Sequence, residues 1–141
     1  AAAAPGAGPQ PALPGFKPWP AGEPPPVKIF IVGSWDSFKP SAMKWEAGRF
    51  EHHIKLGPSR CESFQLRRGR SVAQTIYPSI ADASIDDGSS WALQGPDDRG
   101  QKKYWKIGIS PHDRAAAGDA FVISAHLESH GNVACVRWAK L

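Results

Sequence analysis

His126 and His130 stand four residues apart with Glu128 between them. Imidazoles at that interval hold zinc when they share a helix face, but the order there is His-Glu-x-x-His. On a strand, residues four apart are separated by about 13 Å, too far for one metal ion, and His130 falls in a turn. We read no metal site here. His52 and His53 are adjacent, so on a strand they face opposite ways, and His52 reads as a partly buried histidine with a hydrogen-bond partner. Serine, histidine and aspartate are all present, yet no Gly-x-Ser-x-Gly elbow exposes a nucleophile. No glycine-rich loop before a helix cradles phosphate. Asp82, Asp86, Asp87, Asp97 and Asp98 sit in turn contexts, where aspartate caps its own backbone, at spacings unlike a calcium loop. This inventory assigns no catalytic residue, no metal ligand and no cofactor.

Binding chemistry is better represented. Six tryptophans in 141 residues exceed the needs of a small core. Trp35, Phe38 and Trp45 cluster around the turn-rich segment Gly33–Trp45, where flat rings stack on a sugar face or seat a protein partner. Phe16 and Trp19, flanked by prolines, form a second aromatic group. Cations interleave with aromatics in Lys102-Lys103-Tyr104-Trp105-Lys106, and Arg67, Arg68 and Arg70 form another basic cluster. Such mixtures track phosphates and stack bases, but the net charge of +4 is mild and the nucleic-acid signatures are absent. We therefore read these cations as solvated strand faces rather than a nucleic-acid site. The same patches suit an acidic protein or an anionic membrane surface.

The elements that must position these residues fall into two parts. Nine of the 14 prolines lie within residues 1–26, an Ala/Gly/Pro-rich arm with one cation, Lys17, and one acid, Glu23. Proline removes amide donors and favours the polyproline II form, so this arm builds neither ladder nor helix; fully extended, it reaches roughly 80 Å. About 115 residues remain in the body, 27–141, enough for one modest core. No apolar run approaches the roughly 18 residues of a membrane-spanning helix. The chain starts at Ala1-Ala2-Ala3-Ala4 and its one methionine is Met43, which reads as a processed form. Cys61 and Cys135 read as two buried thiols or one disulfide. The final Ala139-Lys140-Leu141 resembles a peroxisomal signal, but it continues a predicted strand and we give it no weight.

Within the body the apolar pattern has period two. Val27–Gly33 is apolar at nearly every position, as a strand covered on both sides. Arg49–Leu56 places Phe50, His52, Ile54 and Leu56 on one face and Arg49, Glu51, His53 and Lys55 opposite. Cys61–Arg68 points Phe64 and Leu66 inward, and Ala73–Tyr77 follows. Lys103–Ile109 puts Trp105, Ile107 and Ile109 on one face. Ala120–Glu128 turns inward Phe121, Ile123, Ala125 and Leu127, then returns through His130-Gly131-Asn132 into Val133–Trp138. These spans predict an all-β fold, an immunoglobulin-like antiparallel sandwich.

The stretch Ile29–Leu66 resembles the starch- and glycogen-binding modules of the immunoglobulin-like class. The resemblance rests on Val32-Gly33-Ser34, the aromatic turn Trp35-Asp36-Ser37-Phe38, Met43, Trp45, Gly48-x-Phe50, Leu56 and Glu62-Ser63-Phe64-Gln65. Residues 29–141 more closely resemble a small domain that recurs in dinoflagellate algal proteins. Its pieces stand here as Ser34-Trp35-Asp36, Glu62-Ser63-Phe64-Gln65, Ile76-Tyr77-Pro78, Trp105-x-Ile107, Gly118-Asp119 and Val136-x-Trp138. The second platform ring of glycogen-binding modules has no counterpart in Gly69-Arg70-Ser71-Val72, leaving Trp91 or Trp105 as replacements.

Two expectations follow. In the first, the chain is a non-catalytic accessory subunit of a larger protein assembly, bound through Phe16, Trp19, Pro24, Pro25 and Pro26. A polyproline arm is already extended and loses little entropy on docking. The algal resemblance points to a plastid photosynthetic complex, a photosystem with its antenna, and to a place peripheral to the thylakoid membrane. In the second, the body is an α-glucan-binding module with Trp35, Phe38 and Trp45 as its platform.

Overall fold

Residues whose side chains alternate between apolar and polar bury one face of a strand and leave the other free to pair or meet solvent. The computed structural model describes residues 17–85 and 90–141, and within them this alternation yields two antiparallel sheets packed face to face. The strands are β1 (Ile29–Gly33), β2 (Ser41–Ala42), β3 (Lys44–Glu46), β4 (Arg49–Lys55), β5 (Glu62–Arg68), β6 (Thr75–Pro78), β7 (Leu93–Asp97), β8 (Trp105–Ile107), β9 (Ala120–Leu127) and β10 (Val133–Lys140). One sheet runs β2-β1-β5-β6-β7, with β8 also paired to β5; the other runs β10-β9-β4-β3. The protein is an all-β sandwich. No α-helix occurs among the described residues, and helical turns are short 3-10 segments such as Ser34–Asp36.

Two strands share one edge of β5. β8 pairs with Glu62, Ser63 and Phe64, and β6 pairs with Leu66 and Arg67. On the other side of the sandwich, β2 pairs with β1 while β3 pairs with β4. The chain thus changes sheets at Met43, which is buried and donates its amide to Ile29 across the crossing.

Phe64 is the centre of the core. It stacks on Trp105 at 5.3 Å and meets the edge of Trp138 at 5.7 Å, joining β5, β8 and β10. Ile29, Ile31, Leu66, Ile76 and Ile107 line one inner face, and Phe50, Ile54, Phe121, Ile123, Leu127 and Val136 line the other. Trp138 donates its indole N–H to Asp113 Oδ1 at 3.0 Å, and the second oxygen of that carboxylate accepts from Gly108 N at 2.8 Å.

Three strand expectations change. Ile109 is exposed, because β8 stops at Ile107 and Gly108 turns the chain with φ +104. A side chain at Gly108 would strike the carbonyl of Arg60, so only glycine passes there. Arg49 and Glu51 are on the outer face as expected, yet both are buried and joined by a 2.8 Å ion pair. Central β9 is buried on both faces, with Val122, Ser124 and His126 as inaccessible as its inner residues. Cys61 and Cys135 are free, half-buried thiols.

Candidate interaction surface

Within residues 17–26 the arm touches the sandwich at Pro18, Trp19 and Ala21. Pro18 bridges Glu128, and the Trp19 amide donates 3.0 Å to the carbonyl of Leu127. The indole is half-buried against the core near Gly131, and its N–H closes on Glu23 O at 3.0 Å. Glu23 also donates to Pro20, so the arm bends here instead of running straight. Ala21 packs against Gly48 in the β3–β4 turn. Trp19 is therefore a pin holding the arm to the body. Pro24 and Pro26 are exposed and Pro25 is half-buried. Phe16 lies outside the described residues.

Trp35 is placed by its neighbours on either side. Gly33 leaves space that the indole fills: a methyl group there would come within 2.2 Å of the ring. Ser34 donates its hydroxyl to Glu62 Oε1 at 2.6 Å and accepts from the amide of Ser63 at 2.9 Å, tying the aromatic turn to β5. The ring then spans the two sheets, stacked on His52 at 5.9 Å and tilted against Phe64 at 6.3 Å. His52 does face inward, but its partner is this indole; among the described residues it has no hydrogen bond. Burial holds its imidazole below the ordinary value, opposed by Asp36 and reinforced by His53.

Phe38 and Trp45 are turned away from that stack. Ser37 and Phe38 both have left-handed backbone, and the Phe38 amide returns to Gly33 at 2.8 Å. This presents the Phe38 ring, 39% exposed, against Tyr104 at 5.5 Å. Trp45 lies opposite Phe50 and packs edge-on against it at 5.1 Å. The three proposed platform rings do not touch one another. Trp105 is fully buried, and Trp91 meets it edge-on while donating to Ser84 O. None of the six tryptophans is exposed. The aromatic excess is spent on the core and its margins.

Ser34, Trp35, Glu62, Ser63, Phe64, Trp105 and Trp138 meet in space. Ser34 bonds Glu62 and Ser63, Trp35 touches Phe64, and Phe64 touches both Trp105 and Trp138. Ile76 pairs with Leu66, and Gly118 and Asp119 bracket Leu56 through backbone bonds. These motifs hold the sandwich together. A surface reader would not need them.

Titratable groups are dispersed. Among the described residues, no three His, Cys, Asp or Glu side chains converge as a metal site would require. His126 is enclosed on the outer face of β9, and burial, with Arg49 and Arg137 nearby, lowers it to about 4. Asp97 caps its own turn, accepting from Arg99 N at 2.8 Å, as its position implied. Asp86 and Asp87 lie outside the described residues.

Sequence reasoning missed Tyr104 as the partner of Phe38, because the two are far apart along the chain. It grouped Arg70 with Arg67 and Arg68 but missed its contact with Phe30, over whose ring the guanidinium sits at 5.1 Å. A cation two residues beyond a strand and an aromatic on the neighbouring strand carry no joint signal until β1 and β5 pair. No protein-family model, no curated protein and no solved structure matches this chain.

Proposed function

We propose that the protein is a non-catalytic accessory subunit that docks on and stabilises a larger protein assembly. The observation that carries this reading is the seat of the arm. The Trp19 amide and the Pro18 bridge bind the sandwich at Leu127 and Glu128, and the half-buried indole packs on the core margin, which fixes the arm to the body at residues 18–19. A proline-rich segment held at its root binds with less entropy loss than a free one. Trp19 then serves as the hinge pin, and contact passes to Phe16, Pro24, Pro25, Pro26 and the exposed Phe38. The algal resemblance directs the proposal to a plastid photosynthetic complex, at the membrane periphery. No helix among the described residues is long and apolar enough to cross a membrane.

Deleting residues 1–16 tests this reading while leaving the pin in place. Release from a co-purifying assembly, with an unchanged melting curve, is the expected result. Retention in the assembly would overturn it.

An α-glucan-binding module is the second reading, favoured by one observation: the Phe38 and Tyr104 rings sit together at the surface. Retention of the protein on starch, lost in Phe38→Ala and unaffected by Trp45→Ala, is its signature.

A further inference from the structure

Alternation along β5 sends successive arginines to different sides. Arg68 reaches Asn132 Oδ1 at 3.4 Å at the inner edge, while Arg67 lies beside Phe30 on β1. The chain then turns at Gly69, whose amide donates to Lys28 O, and Arg70 folds back over Phe30. The result is a surface groove of about 500 Å³ lined by Pro26, Val27, Lys28, Phe30, Arg68 and Arg70.

No acid lines this groove. Among the described residues, Lys28, Arg67, Arg68 and Arg70 have no carboxylate within ion-pair distance. Elsewhere, Arg49 is paired with Glu51, Lys44 with Glu46 and Lys140 with Asp119. Arg67 gives Nη1 to the carbonyl of Arg70 at 2.9 Å, and its buried Nε has no acceptor. The other basic cluster differs: Lys103 lies over Tyr77 and within the field of Asp97. Three unpaired cations, Lys28, Arg68 and Arg70, line one concavity, with Arg67 behind Arg70, and repel each other until an anion enters.

The chemistry of that anion is constrained by the walls. Phe30 is only 7% exposed beneath Arg70, so it offers no free face to a base and no tip to a bilayer. The arginine forks match carboxylates in two-point geometry, and Pro26 and Val27 provide apolar contact for side-chain stems. We propose that this groove binds an acidic, carboxylate-rich segment of a partner protein. The proposal rests on the accessory-subunit reading and names the chemistry of one contact within it.

The experiment measures anisotropy of fluorescein-labelled octaglutamate with the full chain. R67Q/R68Q/R70Q should weaken binding by about tenfold or more, and K102Q/K103Q/K106Q, which removes the same charge, by under about twofold. K28Q/R70Q spares both strand arginines and should also weaken binding, which covers misfolding of the first variant. Equal weakening by the two triple variants would overturn the proposal. So would tighter binding to vesicles with about 30% phosphatidylserine, or to a twelve-residue oligothymidylate. Failure of the native chain to bind octaglutamate, with co-purification intact, overturns the groove alone; retained co-purification on arm deletion overturns the accessory-subunit reading instead.

Discussion

The amide of Trp19 donates to the carbonyl of Leu127 at 3.0 Å, so the proline-rich arm joins the four-stranded sheet at the end of its central strand. One backbone hydrogen bond and one half-buried indole convert the last part of the arm into part of the sandwich. Truncation experiments should therefore divide at this residue.

Removing residues 1–16 leaves this contact untouched and should not change stability. Trp19→Ala removes the indole from the core margin and should cost about 2 kcal/mol, from lost apolar burial. Urea unfolding followed by circular dichroism measures both. An unchanged midpoint for Trp19→Ala would mean the arm is not held as described.

Gly33→Ala places a methyl group inside the Trp35 ring. Either the ring leaves its stack on His52 or β1 shifts, and either should cost about 1–3 kcal/mol. Near-ultraviolet circular dichroism distinguishes this from a remote effect, because the indole's surroundings change. Ala42→Gly on the neighbouring short strand is a control for backbone effects and should leave that spectrum intact.

Asp113 accepts from both Trp138 and Gly108 while 5% exposed. Asp113→Ala should cost about 2–3 kcal/mol, since the buried Trp138 indole N–H and the half-buried Gly108 N–H lose their acceptor. Asp113→Asn keeps one acceptor of the same shape and should fall between the variant and the native chain. Thermal unfolding of the three proteins gives the order directly.

His126 makes stability depend on pH in a defined direction. Its folded value, about 4, lies below the ordinary 6.5, so the unfolded chain binds the proton first. Stability should fall as pH drops from about 6.5 to about 4, by up to about 3 kcal/mol, and level off below. His52, lowered in the same direction by burial, adds to the slope. His126→Leu should flatten the profile in this window. It should cost little at neutral pH, because both ring nitrogens already lack hydrogen-bond partners. A profile as steep as the native one would falsify this assignment.

The sandwich was legible in the sequence because alternation is a local property. Phe121, Ile123, Ala125 and Leu127 declare their face without reference to any other strand, and all four are in the core. The same logic placed His52 inward and turned the chain at His130-Gly131-Asn132. It failed at Ile109, where the alternation continues but the backbone does not: the carbonyl of Arg60 forces a glycine turn at Gly108.

What the chain decided alone, then, was that two faces exist and which residues occupy them, since a strand's period of two needs no partner. Exposure and neighbourhood required the tertiary structure. Trp35, Phe38 and Trp45 are close in sequence, yet one bridges the sheets, one meets Tyr104 and one packs on Phe50. Arg70 and Lys28 are distant in sequence, yet they line one groove. Pairing of β1 with β5 brings them together, and that contact depends on register across 40 residues rather than on any local pattern.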